Sequence, residues 1–551
     1  MTLAILPATA VEPMRINDHD LHIALEWGIH NLSSILDSDN EGIPFFTSYV
    51  LGRPNMGFHP QFSVGNVTGR SLYALLKAEA VSQIPLDPAV VNTYRDILLR
   101  SYETVRGLPC DPERPGAPFN RCYIFNAGAG FRGLLGLVTF RADETARRYF
   151  EESIENWNLH FVGKNFSWRA FQEQFGLEGG GYGEGHWPGP GDRMGVQRPF
   201  SLWAFVEFFK ATGYRPALEL ATRLGLEIVF SGFPTDGSLR GYDHGFEVVA
   251  EMNALAALAL VLREETGDQA QRRAEWIMGL VRARYDNAVN TLMSQTGWFP
   301  ETISRQSDVG EANNTAELIE TAIKFGDWGW PEYYQDAERF ARAHLLPSQL
   351  LDTDFIVENP TPRSDGERNV KARIKGAFGF PAPYGMVPTH NPYFVGAYFL
   401  DIAAGGVATA AEVMANSSRF IDGKHVVNLL FDHETQYLRF EGPYPDRYAL
   451  RITLKQPGSL DVRLSDWVDR SKLEVSVGGV GIPFESTNHY LRIEAPPVGE
   501  EISIRFPLKE YRTSEVLNGR TIDYLWRGDS IIAVSQMGST FPFFPEIDAG
   551  E

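Results

Sequence analysis

Four acids fall within 17 positions of one loop-to-helix segment, GWFPETISRQSDVGEANNTAELIE (297–320): Glu301, Asp308, Glu311 and Glu317. Glycoside cleavage needs two carboxyls at one point, one to protonate the leaving oxygen and one to act as nucleophile or base. The proton donor must be raised in pKa by burial, and Trp298 or Phe299 offers Glu301 an apolar neighbour. Glu301 and Glu311 are therefore the leading candidates. Asp308 and Glu311 equally suit the cap of a helix beginning near Asn313, with Glu317 and Glu320 on its solvated face.

Three further segments gather chemistry-bearing side chains. GLEGGGYGEGHWPGPGDRMG (176–195) holds Glu184, His186 and Trp187. It lacks the Gly-Lys-Ser/Thr of a phosphate loop. A carboxylate, an imidazole and an indole on one loop suit a sugar, whose hydroxyls need polar partners and whose C–H face needs an aromatic platform. The stretch reads equally as a glycine-rich turn anchored by Trp187. Glu184 and His186 offer a metal two ligands, but no His/Cys cluster accompanies them, so no metal and no cofactor is expected. GYDHGFE (241–247) sets Tyr242, Asp243 and His244 ahead of a long Ala-rich helix, where Asp243 or His244 also suits a cap. FGFPAPYGMVPTHNPYFVGAYFLDIAAGG (378–406) carries Tyr384, His390 and Tyr393 in a Pro-rich loop. It also places Asp401 in an apolar stretch, where a buried acid is costly unless paired.

Two textures position these residues. From about residue 15 to 418 the apolar spacing is helical. RPFSLWAFVEFFKATG repeats Trp203, Val206 and Phe209, and stops at Gly213. PALELATRLGLEIV, FEVVAEMNALAALALVLREETG and WPEYYQDAERFARAHLL read the same way. Helix–Gly–helix junctions at Gly213, Gly267 and Gly326 are 54 and 59 residues apart. About 400 residues at that period hold six or seven helical hairpins, which a closed (α/α)6 toroid accommodates and an open solenoid rivals. From about 424 to 545, short alternating strands such as Leu450-Ile452-Leu454 and Leu460-Val462-Leu464 predict an antiparallel sandwich. The expected fold is mainly α with β: an (α/α)6 toroid (1–418) followed by an antiparallel β-sandwich (419–551).

Composition narrows the partners. The 551 residues carry a net charge of −20, which disfavours binding nucleic-acid phosphates or an anionic membrane. No apolar run is expected to span a bilayer. Only Cys110 and Cys122 are present, which excludes a disulfide scaffold or a four-thiolate metal site and reads as structural thiols. The start MTLAILPATAVEP has no basic residue ahead of its short apolar stretch, so a cytoplasmic protein is expected. The sequence leaves homo-oligomerisation open.

Around GWFPETISRQSDVGEANNTAELIE and YFLDIAAGGVATAAEVMANSSRFIDGKHVVNLLFD the sequence resembles the β-L-arabinofuranosidase superfamily of glycoside hydrolases, a helical toroid followed by β-sandwich material. The resemblance is diffuse over residues 50–530 and strongest at 297–320 and 396–470. It implies that Glu301 matches the family's proton donor. The family's Glu-x-Cys step reads Glu311-Ala312-Asn313 here, and its Cys-Cys pair falls at Asp401-Ile402. The three thiolates that hold zinc in the family, one of them its nucleophile, are all missing.

The expected function is hydrolysis of a glycan or glycoside by a two-carboxylate mechanism. Glu301 is the acid/base and Asp401 or Glu311 its partner. Glu184, His186, Trp187, Tyr242, His244, Tyr384 and His390 line the sugar site. Two alternatives compete. One is a lyase acting on uronic-acid glycans through Tyr384, His390, Tyr242, His244, Asn314 or Arg193. The other is a non-catalytic carbohydrate-binding relative.

Overall fold

The computed structural model describes residues 13–59, 62–114, 116–160, 168–177, 197–231, 233–234, 236–239, 243–303, 309–379, 382–383, 397–445, 447–517, 519–535 and 543–547. Among them are the helices α1 (Leu21–Ser34), α2 (Gly69–Ser82), α3 (Pro88–Ser101), α4 (Ala127–Arg141), α5 (Glu144–His160), α6 (Trp168–Phe175) and α7 (Gln197–Thr212). They continue as α8 (Arg215–Ser231), α9 (Gly245–Glu264), α10 (Asp268–Thr291), α11 (Ala312–Trp328), α12 (Tyr334–Phe340), α13 (Val370–Ile374) and α14 (Leu400–Asn416).

Six of these form an inner ring: α2, α4, α7, α9, α11 and α14 each pack on the next, and α14 returns to α2. That closure distinguishes a toroid from an open solenoid. Helices α1, α3, α5, α8, α10 and α12 lie against the ring from outside. The division is written in the sequence. Outer α10 buries one stripe, Ala274, Ile277, Met278, Val281, Tyr285 and Ala288. Inner α9 is buried on every side, from Phe246 and Val248 to Val261 and Leu262. Helix α9 is in fact long and apolar enough to cross a membrane by length and composition, contrary to the sequence expectation, with a mean hydropathy of 1.7. Its most apolar stretch is 94% buried, because ring neighbours α7 and α11 and outer α10 pack against it.

Two junctions fall as expected, since α7 stops before Gly213 and α9 before Gly267. Gly326 does not. It lies inside α11, where its bare Cα seats the Tyr334 ring, and the helix ends at the left-handed Gly329. Cys110 and Cys122 are not free thiols: they face each other across a two-stranded ladder and form a disulfide. A spacing of 12 residues gave no sign of that hairpin in the sequence.

The strand-rich C-terminal part begins at Ser418, two residues after α14 ends. A six-stranded sheet orders 433–434, 438–441, 449–454, 501–505, 474–477 and 480–481 side by side. It is antiparallel throughout. A five-stranded sheet orders 485–486, 490–493, 459–463, 424–427 and 418–421, with one parallel pair between 459–463 and 424–427. The predicted alternation forms the sandwich core: Leu450, Ile452, Leu454, Leu460, Val462, Leu491, Ile502 and Ile504 pack together. Its seam with the toroid is charged and dry. Glu338 of α12 sits between Arg342 and Arg463, and all three are at most 2% exposed. A buried triad of this kind holds only because further hydrogen bonds satisfy it. Arg463 also donates to the Gln335 side chain (2.9 Å), and Glu338 accepts from Leu430 N (3.1 Å).

A third sheet was not foreseen. Glu510–Leu517, Arg520–Arg527 and Ser530–Val534 form an antiparallel meander with its own core of Ile522, Tyr524, Trp526, Ile531 and Val534. That core is completed by Trp298 and Ala343 of the toroid.

Candidate active site at the N-terminal end of the ring

The candidate site is assembled where the inner helices begin. His244 immediately precedes α9, Glu311 immediately precedes α11, Asp401 lies in the first turn of α14, and Arg70 lies in the first turn of α2. Helix N-termini carry partial positive charge, which favours carboxylates there.

Short backbone pairings bring the acids together. His244 bridges Thr302, and Ile303 N donates to Asp243 O (2.8 Å). Glu301 donates its N–H to Val309 O (2.8 Å) and accepts from Gly245 N (2.6 Å). Val309 and Gly310 pair in turn with Pro383 and Ala382. Two glycines make this approach possible. A Cβ on Gly245 would lie 2.0 Å from Pro300 O, and one on Gly310 would lie 2.1 Å from Phe299 O.

Within this frame His244, Glu301 and Glu311 each present a side-chain atom within 4.8 Å of the others. His244 Nε2 is 3.2 Å from Glu311 Oε1. Neither residue caps its helix through its side chain, so both side chains are turned to each other instead. Burial, and then the neighbouring Glu311 charge, push the Glu301 carboxyl up to about 7. Burial alone would lower the His244 imidazole. Its hydrogen bond to Glu311 and the charges of Glu311, Glu247 and Glu301 outweigh that and hold it above its ordinary value. Glu247, one turn into α9, is likewise pushed up to about 7 by burial. It stood in the quoted GYDHGFE segment, but nothing in the sequence separated it from an ordinary first-turn acid.

Asp401 joins this group in a different condition. It is 8% exposed, and Oδ2 accepts from Asn66 Nδ2 (3.0 Å) and faces Arg70 Nη1 at 3.4 Å. Arg70 Nη1 also donates to Asp401 O (3.1 Å). The other carboxylate oxygen, Oδ1, is buried with no hydrogen-bond partner among the described residues. Burial raises this carboxyl, and the nearby Glu311 charge adds to the rise. Asp401 is thus an acid held in place by an amide and a guanidinium.

Beneath the site runs a buried polar ladder. Arg70 and Arg132 stack on the Phe200 ring at 4.7 and 4.0 Å. Arg132 pairs with Glu317 (3.1 Å), Asn253 donates to Glu317 and Glu320, and Thr409 donates to Glu320 (2.8 Å). Glu317 and Glu320 are 6% and 5% exposed, which corrects the expectation of a solvated face: α11 is an inner helix and has no such face. Asn314 is fully buried and gives its amide to Phe299 O (3.3 Å) and Pro300 O (3.4 Å). Its amide nitrogen holds the loop that leads to Glu301.

Glu184, His186, Trp187, Arg193, Tyr242, Asp308, Tyr384 and His390 lie outside the described residues. Of the expected site residues, the structure brings together Glu301, Glu311 and His244, with Asp401 behind them.

The resemblance implies a thiolate-bound zinc, and the donor set does not fit one. The thiolate positions hold Asn313, Asp401 and Ile402, while Cys110 and Cys122 are bonded to each other. Asn313 is spent in packing, with its Oδ1 against the bare Cα of Gly405. His244, Glu301 and Glu311 form a nitrogen–oxygen set that a harder cation accepts, but protons on His244 and Glu301 compete for the same atoms.

The sequence matches no family model and no curated protein. Solved structures are similar in fold. One is a GH127 β-arabinofuranosidase at 12% identity and a TM-score of 0.59, covering 94% of this chain and 84% of its own. Another is a GH127 β-L-arabinofuranosidase from Geobacillus stearothermophilus T6 at 13% identity and a TM-score of 0.55, covering 93% and 80%. A third, a glycoside hydrolase, matches at 12% identity and a TM-score of 0.57, covering 94% and 85%. Toroid and strand-rich C-terminal part together, the chain has the fold of these structures.

Proposed function

We propose that the protein hydrolyses glycosides with Glu301 as general acid/base and Glu311 as nucleophile. The observation that carries this reading is the spacing and contrast of the two carboxyls. They approach within 4.8 Å, and Glu301 is pushed up to about 7, so it carries a proton to donate near neutral pH. Retaining glycosidases set their two carboxyls about 5–5.5 Å apart, whereas inverting ones need about 6.5–9.5 Å to seat a water. The 4.8 Å is the approach of single side-chain atoms, and on that proximity we propose double displacement with retention. Glu311 attacks the anomeric carbon while Glu301 protonates the leaving oxygen. Glu301 then deprotonates the water that releases the sugar. The His244 side chain orients Glu311, and the positive end of α11 favours its negative charge.

Asp401 is the weaker choice of nucleophile, because its oxygens are buried, bonded or both. A lyase would need a free cation for a substrate carboxylate. Among the described residues, Arg70 and Arg132 are engaged by Asp401 and Glu317, and acids dominate the rest of the site. An uncharged sugar fits this balance better, and the fold shared with glycoside hydrolases points the same way.

The test is a screen of aryl glycosides and plant and microbial glycans, followed by reducing ends and by ultraviolet absorbance. New reducing ends without unsaturated products are expected. Ultraviolet-absorbing products would favour elimination, and binding without turnover would favour a carbohydrate-binding role.

A further inference from the structure

We infer that Glu515, on the C-terminal three-stranded sheet, is a positioning residue for Glu301. The inference rests on the reading of Glu301 as the acid, and it makes that sheet part of the catalytic apparatus.

The strand Glu510–Leu517 alternates, with Tyr511, Thr513, Glu515 and Leu517 half-buried and the residues between them exposed. On that inward face Tyr511 stacks on Trp526, Thr513 accepts from the Trp526 indole (2.8 Å), and Leu517 packs on the sheet's core. An acid in this row is out of pattern, and the toroid supplies its partners. Glu515 accepts from Gln295 N (2.9 Å), from the Ser294 hydroxyl and from the Tyr524 hydroxyl (2.6 Å). Gln295 reaches back to Ser514 O (3.2 Å). Ser294 is buried and Glu515 half-buried, so the contact lies at the edge of the toroid's core.

From that point every step toward Glu301 is pinned. Ser294 N donates to Trp298 O and Gly297 N to Ser294 O, both at 2.9 Å. Thr315 of α11 donates to Gly297 O (2.9 Å). The Trp298 indole packs among Ile522, Tyr524 and Trp526 of the same sheet. Asn314 holds the carbonyls of Phe299 and Pro300, and Glu301 follows. A turn tied this closely passes a shift at one end to the other, and misplacing a catalytic group by about 1 Å costs on the order of 10²-fold.

The experiment compares E515A and E515Q with E510Q, an exposed acid on the same strand paired with Arg527. Hydrogen exchange is read for peptides spanning 294–303, and kcat, KM and the pH profile are measured on the best aryl glycoside. E515A should raise exchange across 294–303 and lower kcat about tenfold or more with KM within about twofold. Its basic limb should move to lower pH as water reaches Glu301. E515Q, which keeps an acceptor oxygen, should fall between E515A and wild type, and E510Q should match wild type. Unchanged exchange in E515A overturns the inference whether or not a substrate is known. So does raised exchange with kcat and pH profile unchanged. If wild-type protein turns over no glycoside, the functional reading falls, and the exchange result alone decides whether Glu515 holds the loop.

Discussion

His244 Nε2 lies 3.2 Å from Glu311 Oε1, although 67 residues separate them and each stands at the start of a different inner helix. The His244 imidazole is held above its ordinary value in this pair, so the sign of its effect on stability is fixed. The contribution is fully present below the unfolded imidazole value of about 6.5 and is lost as pH rises through the raised folded value. H244Q should therefore cost on the order of 1–2 kcal/mol at pH 5.5. The difference should shrink at alkaline pH. Urea unfolding at several pH values reads both numbers.

Glu301 carries the same sign, from a carboxyl rather than an imidazole. Its carboxyl is raised from 4.5 to about 7, so the folded protein holds the proton more tightly than the unfolded chain. Stability from this group is lost as pH climbs through that window. E301Q removes the penalty. It should be more stable than wild type by on the order of 2–3 kcal/mol above pH 7, with the gain vanishing near pH 4. A more stable but inactive variant is the expected mark of a functional acid held at a cost. Thermal unfolding at pH 4 and pH 8 tests it.

The activity should follow the same group. With Glu301 as proton donor, turnover falls on the basic side near pH 7, and E301Q loses that limb. The loss in kcat/KM of E301Q should be about 10²–10⁴-fold for poor leaving groups and far smaller for activated aryl leaving groups, which need no proton, while kcat stays reduced for both because the second step needs Glu301 as base. A leaving-group series on both proteins measures the contrast.

The Cys110–Cys122 disulfide closes a short hairpin with a sequence separation of 12. Loop entropy alone assigns such a link about 2–3 kcal/mol. C110S/C122S should lose that much in urea, and intact mass should show the wild-type pair two hydrogens lighter before reduction than after.

The sequence carried the architecture well where periodicity was clean. Helix α7 and its stop at Gly213 reappear, as does the alternation of Leu450, Ile452 and Leu454, although α7 is buried on nearly every side from Leu202 to Phe208 rather than along one stripe. It also pointed at Glu301, Glu311 and His244, because an acid beside Trp298 and a histidine before an apolar helix are unusual placements. It misread Glu317 and Glu320, since a polar position every third or fourth residue looks the same on a solvated face and in the buried interior of a closed ring. Only the ring closure, α14 onto α2, turns that face inward. Glu515 was invisible for a related reason: its partners, Ser294 and Gln295, are more than 200 residues away.

The assignment of Glu311 over Asp401 decides the mechanism. Wild type, E311Q and D401N are to be compared for turnover on the best substrate of an aryl-glycoside panel. E311Q should be reduced on the order of 10³-fold or more, while D401N, which keeps the shape that meets Asn66 and Arg70, should stay within about tenfold of wild type. Wild-type turnover by E311Q, or loss of turnover in D401N alone, would contradict the account.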